Sequence, residues 1–146
     1  FFTPLSNEVI SYTRGTEVPE KYSHFTQKEY NLIVRAMKYY ERSNYKKAAT
    51  LFNQEVRETP ENTDLILYMG ISELQSKKTE QAIHHFKYIL SHSKSKFHLE
   101  SQWFLALSYL KSNRQENALN ILKDISENPS HPYNKEAKQV VKKLEE

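Results

Sequence analysis

The chemistry open to this chain rests first on six histidines, His24, His84, His85, His92, His98 and His131, because it contains no cysteine. Glu80 and His84 stand four residues apart. On a helix that spacing puts both side chains on one face, close enough to share a metal ion. No second ligand pair of the HExxH type accompanies it, and spacing alone is weak evidence. The outer face of a surface helix is also a natural place for solvated polar residues. Neither a metal site nor a cofactor is therefore expected.

Lack of cysteine removes disulfide scaffolds, thiol catalysis and cysteine-type zinc sites. Two glycines cannot build a phosphate-cradling loop. No Gly-x-Ser-x-Gly elbow presents a nucleophilic serine. Carboxylates on an open helical surface have no enclosed pocket to move their pKa values toward acid–base work. No residue is assigned a catalytic role, and the chain reads as a non-enzyme.

Charge patterning narrows the partners. Residues 77–98 carry five lysines (77, 78, 87, 94 and 96), four histidines and one glutamate, Glu80. Such a patch could meet phosphate or an acidic partner. The plainer reading is a solvated convex face. Glu55, Glu58, Glu61 and Asp64, offset by Arg57, form an acidic counterpart, and opposite patches steer stacking or self-association in a salt-sensitive way. Over the whole chain 21 Lys and Arg face 18 Asp and Glu, a formal +3. That balance is not the footprint of a nucleic-acid binder.

With 146 residues, 38% hydrophobic and 12% aromatic, the chain fits one domain or a short repeat array rather than a disordered segment. No apolar run approaches the ~18 residues of a membrane span. The opening Phe1-Phe2, without methionine, reads as a fragment or a processed form, so any signal or anchor would lie upstream.

The elements that must position these residues come from an internal repeat. Ala36, Gly70 and Ala106 align. Twelve residues after each comes Ala48, Ala82 and Ala118, and four further on Phe52, Phe86 and Leu122. The steps between units are 34 and 36 residues. Small residues recurring at fixed offsets mark close helix crossings, and the larger residue one turn later fills the space beside each crossing. The punctuation predicts helices over about 29–42, 45–58, 63–75, 80–92, 97–111, 114–126 and 133–145. Thr26-x-x-Glu29 reads as a capping box, Thr79 as a cap, and Asn113-x-x-Glu116 as a second box-like start. In the last helix Tyr133, Ala137, Val140, Val141 and Leu144 form an apolar stripe, with Lys135, Lys138, Lys142 and Lys143 off it.

Period and pattern resemble the tetratricopeptide repeat, a 34-residue helix–turn–helix unit with the signature W-x2-L-G-x2-Y…A-x3-F…P. Leu32, Ala36, Tyr39, Ala48, Phe52 and Pro60 carry the match in the first unit. In the second it is Ile66, Met69, Gly70, Ala82 and Phe86, with Glu73 in place of the aromatic and Lys94 in place of the proline. In the third, Leu105, Ala106, Tyr109, Ala118 and Leu122 match, and Trp103 and Pro129 are each displaced by one residue. The resemblance covers about residues 29–132. It implies an all-α fold: a right-handed solenoid of three hairpins (29–62, 63–98, 99–132), a capping helix over 133–146 and an extended N-terminal arm over 1–28. The layout is also similar to a bacterial type common in Bacteroidetes, through Thr13-Arg14-Gly15 and the Trp103–Leu110 run. That likeness implies a periplasmic segment tethered by an upstream membrane-spanning helix, with no other contact to the membrane.

In that family the first helix of each unit lines a concave groove that holds an extended peptide or a partner helix. Carried over, the resemblance assigns the groove to Ile33, Met37 and Tyr40, then Leu67, Ile71 and Leu74, then Trp103, Leu107 and Leu110. Within each helix these are spaced i, i+4, i+7 and share one face. A second apolar stripe packs the helix pairs, so the helices near 63–75 and 97–111 are apolar almost all round and need covering. Three coverings stay open: the chain's own arm, a second copy, or a foreign peptide or amphipathic helix. The Lys/Asn/Arg clamp that some members use for a C-terminal carboxylate is absent, because Ile33, Met37, Leu67, Tyr68, Glu100 and Phe104 occupy those sites. The expected function is a non-catalytic scaffold binding a protein or peptide, with Trp103 as its anchor or as a plain packing residue. The alternative is a structural or dimerising outer domain whose groove is filled by its own arm or a second copy.

Overall fold

A computed structural model describes residues 17–92 and 95–146. The protein is all-helical: among the described residues there are seven α-helices and no strand. They are α1 (Gln27–Glu41), α2 (Tyr45–Glu55), α3 (Thr63–Gln75), α4 (Thr79–Leu90), α5 (His98–Lys111), α6 (Gln115–Ser126) and α7 (Asn134–Leu144). Single 3-10 turns at Glu20–Tyr22 and Pro60–Asn62 precede α1 and α3. Each helix packs mainly on the helices before and after it in the chain. No described helix is long and apolar enough to cross a membrane.

Local chemistry explains most boundaries. Thr26 starts α1 with the expected capping box: its hydroxyl accepts from the Glu29 N–H at 3.1 Å, and the Glu29 carboxylate accepts from the Thr26 N–H at 2.8 Å. Two expected caps are not there. Thr79 lies inside the first turn of α4, whose N-cap is Lys78, and Arg114 rather than Asn113 is the N-cap of α6. The reason is the turn before each helix. Ser43, Lys77 and Asn113 all adopt left-handed backbone, with φ of 60°, 68° and 60°. The next residue's N–H reaches back to the carbonyl of Tyr39, Glu73 or Tyr109, at 2.8 Å in each case. This is one Schellman motif used three times; at Asn113 it imposes left-handed backbone on the expected cap, and after Lys77 the helix has already begun when Thr79 is reached. The three turns recur at steps of 34 and 36 residues, the same as the Ala/Gly register.

The register residues Ala36, Ala48 and Phe52, Gly70, Ala82 and Phe86, and Ala106, Ala118 and Leu122 are all buried. At Gly70 the crossing is so close that a Cβ would sit 2.7 Å from the Phe86 ring. Helix α3 is the centre of the core, with every residue from Asp64 to Leu74 buried. At the C-terminal end the Asn134 amide donates to the carbonyls of Ile125, Ser126 and Asn128 at 2.8–3.1 Å, covering the open end of α6 where α7 begins. On α7, Ala137 is buried, Tyr133, Val140, Val141 and Leu144 pack on the core, and Lys135, Lys138, Lys142 and Lys143 are exposed.

The described end of the N-terminal arm belongs to the folded body. Tyr22 and Phe25 are core residues, and the Tyr22 hydroxyl donates to Asp64 at 3.1 Å. Lys21 pairs with the same carboxylate at 3.0 Å. Residues 1–16, with Phe1, Phe2, Leu5, Val9, Ile10, Tyr12 and Thr13-Arg14-Gly15, lie outside the described residues.

Candidate functional site

Helices α1, α3 and α5 carry the nine expected groove residues. Ile33, Met37, Tyr40, Leu67, Ile71 and Leu74 are at most 2% exposed. Trp103 is 8% exposed, and Leu107 and Leu110 are half-buried. Tyr40 meets Tyr68 edge-on, with ring centres 5.0 Å apart, which joins α1 to α3. Burial pushes the Tyr40 hydroxyl far above the usual tyrosine range. Trp103 stacks flat on Tyr133, with centres 5.0 Å apart and planes within 5°. Burial, reinforced by Glu100, raises the Tyr133 hydroxyl as well. What stays partly wet on these faces is therefore concentrated on α5, along Leu107 and Leu110 beside the Trp103–Tyr133 stack.

A second arrangement is polar and was not anticipated. Glu73 on α3 is fully buried. Its carboxylate accepts from Asn53 Nδ2 at 3.1 Å and from His85 Nδ1 at 2.6 Å. On the other side of the His85 ring, Nε2 lies 3.3 Å from Glu58 Oε1, and His84 Nε2 also contacts that oxygen. The ligand atoms of Glu58, His84 and His85 all lie within 4.8 Å of one another. The Glu80–His84 pair suggested by sequence spacing does not act together, since Glu80 pairs with Arg114 of α6 at 2.7 Å. Acidic and basic stretches read as separate patches thus meet inside one chain, Glu58 against His84 and His85.

One signal could have exposed this cluster. Glu73 stands in the repeat where Tyr39 and Tyr109 stand in the other units. A carboxylate at a position the fold buries needs a donor, and His85, one helix on, supplies it.

The described serine–histidine contact is Ser91 Oγ to His92 Nδ1, at 3.0 Å. It is not a nucleophile and its base. His92 Nδ1 lies 2.8 Å from the Tyr88 carbonyl, which only accepts, so that nitrogen already holds its proton. Ser91 Oγ donates to the same carbonyl at 2.6 Å. The neighbouring surface cleft, about 560 Å³, is bordered by Lys21, Asp64, His92, Lys96 and Phe97.

Comparison with known proteins returned no match: no family model, no curated protein and no solved structure aligns significantly with this chain.

Proposed function

We propose that this chain is a non-catalytic helical-repeat scaffold of the tetratricopeptide type, a solenoid of three hairpins closed by α7, which holds a protein or peptide partner against the face formed by α1, α3 and α5. The observation that carries this reading is the repeated construction: one Schellman turn at Ser43, Lys77 and Asn113, in register with buried small residues at each crossing. An array of such units offers a long surface rather than a pocket. The docking row is the partly wet part of that face, Leu107 and Leu110 beside Trp103. A few residues, Trp prominent among them, carry most of the energy at protein interfaces, so Trp103 is the anchor and the two leucines flank it.

A double variant tests it. Leu107→Glu with Leu110→Glu places two charges on the row, and circular dichroism reports whether the helices persist. Association with a partner, whether a second copy in sedimentation or a co-purifying protein, should be lost in this variant and kept when two charges are placed on exposed α7 positions. Equal association in both would end the proposal.

A second reading is favoured by the burial of seven of the nine expected groove residues and by the docking of Tyr22 and Phe25 on the core. In it the groove is filled from within, by the arm or by a second copy, and the chain serves as the outer domain of a tethered protein. Removing residues 1–16, which leaves Tyr22, Phe25 and the Thr26 cap in place, separates the two. A rise in binding of an apolar dye favours a self-filled groove, and unchanged binding favours the open row.

A further inference from the structure

We propose that Glu58, His84 and His85 form a binding site for one divalent transition-metal ion of the zinc class, with Glu73 as the residue that orients His85. Two imidazole nitrogens and one carboxylate oxygen are the donor set such an ion prefers, and they do not suit calcium or magnesium, which take oxygen shells. The spacing fits. Donors bound at about 2.0–2.1 Å in tetrahedral geometry stand about 3.3 Å apart, and His85 Nε2 is already 3.3 Å from Glu58 Oε1. His84 closes the set within the same 4.8 Å compass. Its side chain is 64% exposed, so it can swing outward to open its present contact with Glu58 and admit an ion.

The buried half of the cluster separates this site from a chance meeting of surface charges. A ligating histidine is normally fixed through its other nitrogen by a carboxylate or carbonyl, which sets the tautomer and aims the lone pair at the metal. Glu73 does this here. It accepts from His85 Nδ1 at 2.6 Å and leaves Nε2 to face Glu58 and His84. Asn53 in turn holds Glu73, and Asn53 is itself tied to the Ala49 carbonyl at 2.8 Å. Three protein ligands leave a fourth position for water on the exposed side. The site spans the segment after α2 and the middle of α4, so an ion would clip the first hairpin to the second.

The test uses the full chain without a histidine tag, freed of metal, with Zn2+ titrated in competition with a chromogenic zinc indicator. The expected result is one equivalent of Zn2+ withheld from the indicator. Glu58→Gln and His84→Ala, both at exposed positions that leave the core intact, should each weaken that affinity at least tenfold. Glu73→Gln should weaken it ~10–100-fold with the helical spectrum preserved, because it acts through His85. His92→Ala should change nothing. A second readout is Co2+, whose visible spectrum should show a tetrahedral site in the native chain and lose it in His84→Ala. Failure to withhold any Zn2+, or retention that survives both Glu58→Gln and His84→Ala, would overturn the proposal and leave a hydrogen-bonded cluster of protein groups alone.

Discussion

Replacing His85 by leucine probes the least conventional feature of the core. The change removes the donor 2.6 Å from Glu73 Oε1 and leaves that carboxylate, which has no solvent exposure, with Asn53 Nδ2 at 3.1 Å. Taking one partner from a buried pair of this kind costs about 3–5 kcal/mol, because the carboxylate left behind stays desolvated without its donor. With a urea slope of about 1–3 kcal/mol per molar, the unfolding midpoint should fall by roughly 1–5 M. Joining Glu73→Leu to His85→Leu replaces both members by apolar groups that suit an α3 buried on every side, and most of the loss should return. The coupling between the two sites should then be about 2–4 kcal/mol, far beyond the additivity expected of independent positions. The assay is equilibrium urea unfolding of four proteins followed by circular dichroism, in a chelator so that bound metal does not enter. A single-variant cost under about 1 kcal/mol, or two costs that simply add, would refute the reasoning.

Three further outcomes follow from the same structure. Lys77 holds left-handed backbone at φ 68°, so Lys77→Gly should stabilise the chain by about 0.5–1 kcal/mol in the same unfolding assay, after allowing for the freer unfolded state. Gly70→Ala gains about 1 kcal/mol of helix propensity, yet its Cβ would stand 2.7 Å from a fully buried Phe86 ring; overpacking of about 1–3 kcal/mol should win, and Phe86→Leu should reverse the sign. His131 accepts from the Tyr133 N–H at 3.0 Å, and its burial lowers its pKa below the ordinary 6.5. The unfolded chain therefore takes up this proton first as pH falls, so the contribution is full above 6.5 and is lost as pH drops through 6.5 toward the lower folded value. His131→Asn, which keeps an acceptor, should flatten that part of the stability–pH curve.

Much of the helical layout was legible because it rests on local chemistry. The Thr26 box, the turn at Ser43-Asn44 and the Pro60 stop are short-range signals. The small-residue register needs only two helices in contact. The helix expected over about 63–75 matches α3 because Pro60-Glu61-Asn62 marks its start and Lys77-Lys78 its end; a segment apolar on every side carries no period of its own. Asn113 does not cap because a left-handed turn falls on it with no glycine to mark the place, and Thr79 does not because the turn at Lys77 lets the helix begin one residue earlier. Glu73, His85 and Glu58 were missed for a different reason. They come from three separate segments, and their meeting depends on how α2, α3 and α4 pack, which spacing along one helix cannot reveal. The groove residues could be placed on one face, but how much water reaches that face depends on what else lies against it.

The measurement that bears most directly on the scaffold reading is site-specific photo-crosslinking in the source cell, with a photoreactive residue placed in turn at Leu107, Leu110 and, as controls, at Gln81 and Lys87 on the exposed side of α4. The account predicts one discrete adduct from the two α5 positions and none from the α4 controls, with a doubled mass if the occupant is a second copy. Adducts from α4 alone, or none from α5 while the arm is absent, would contradict it.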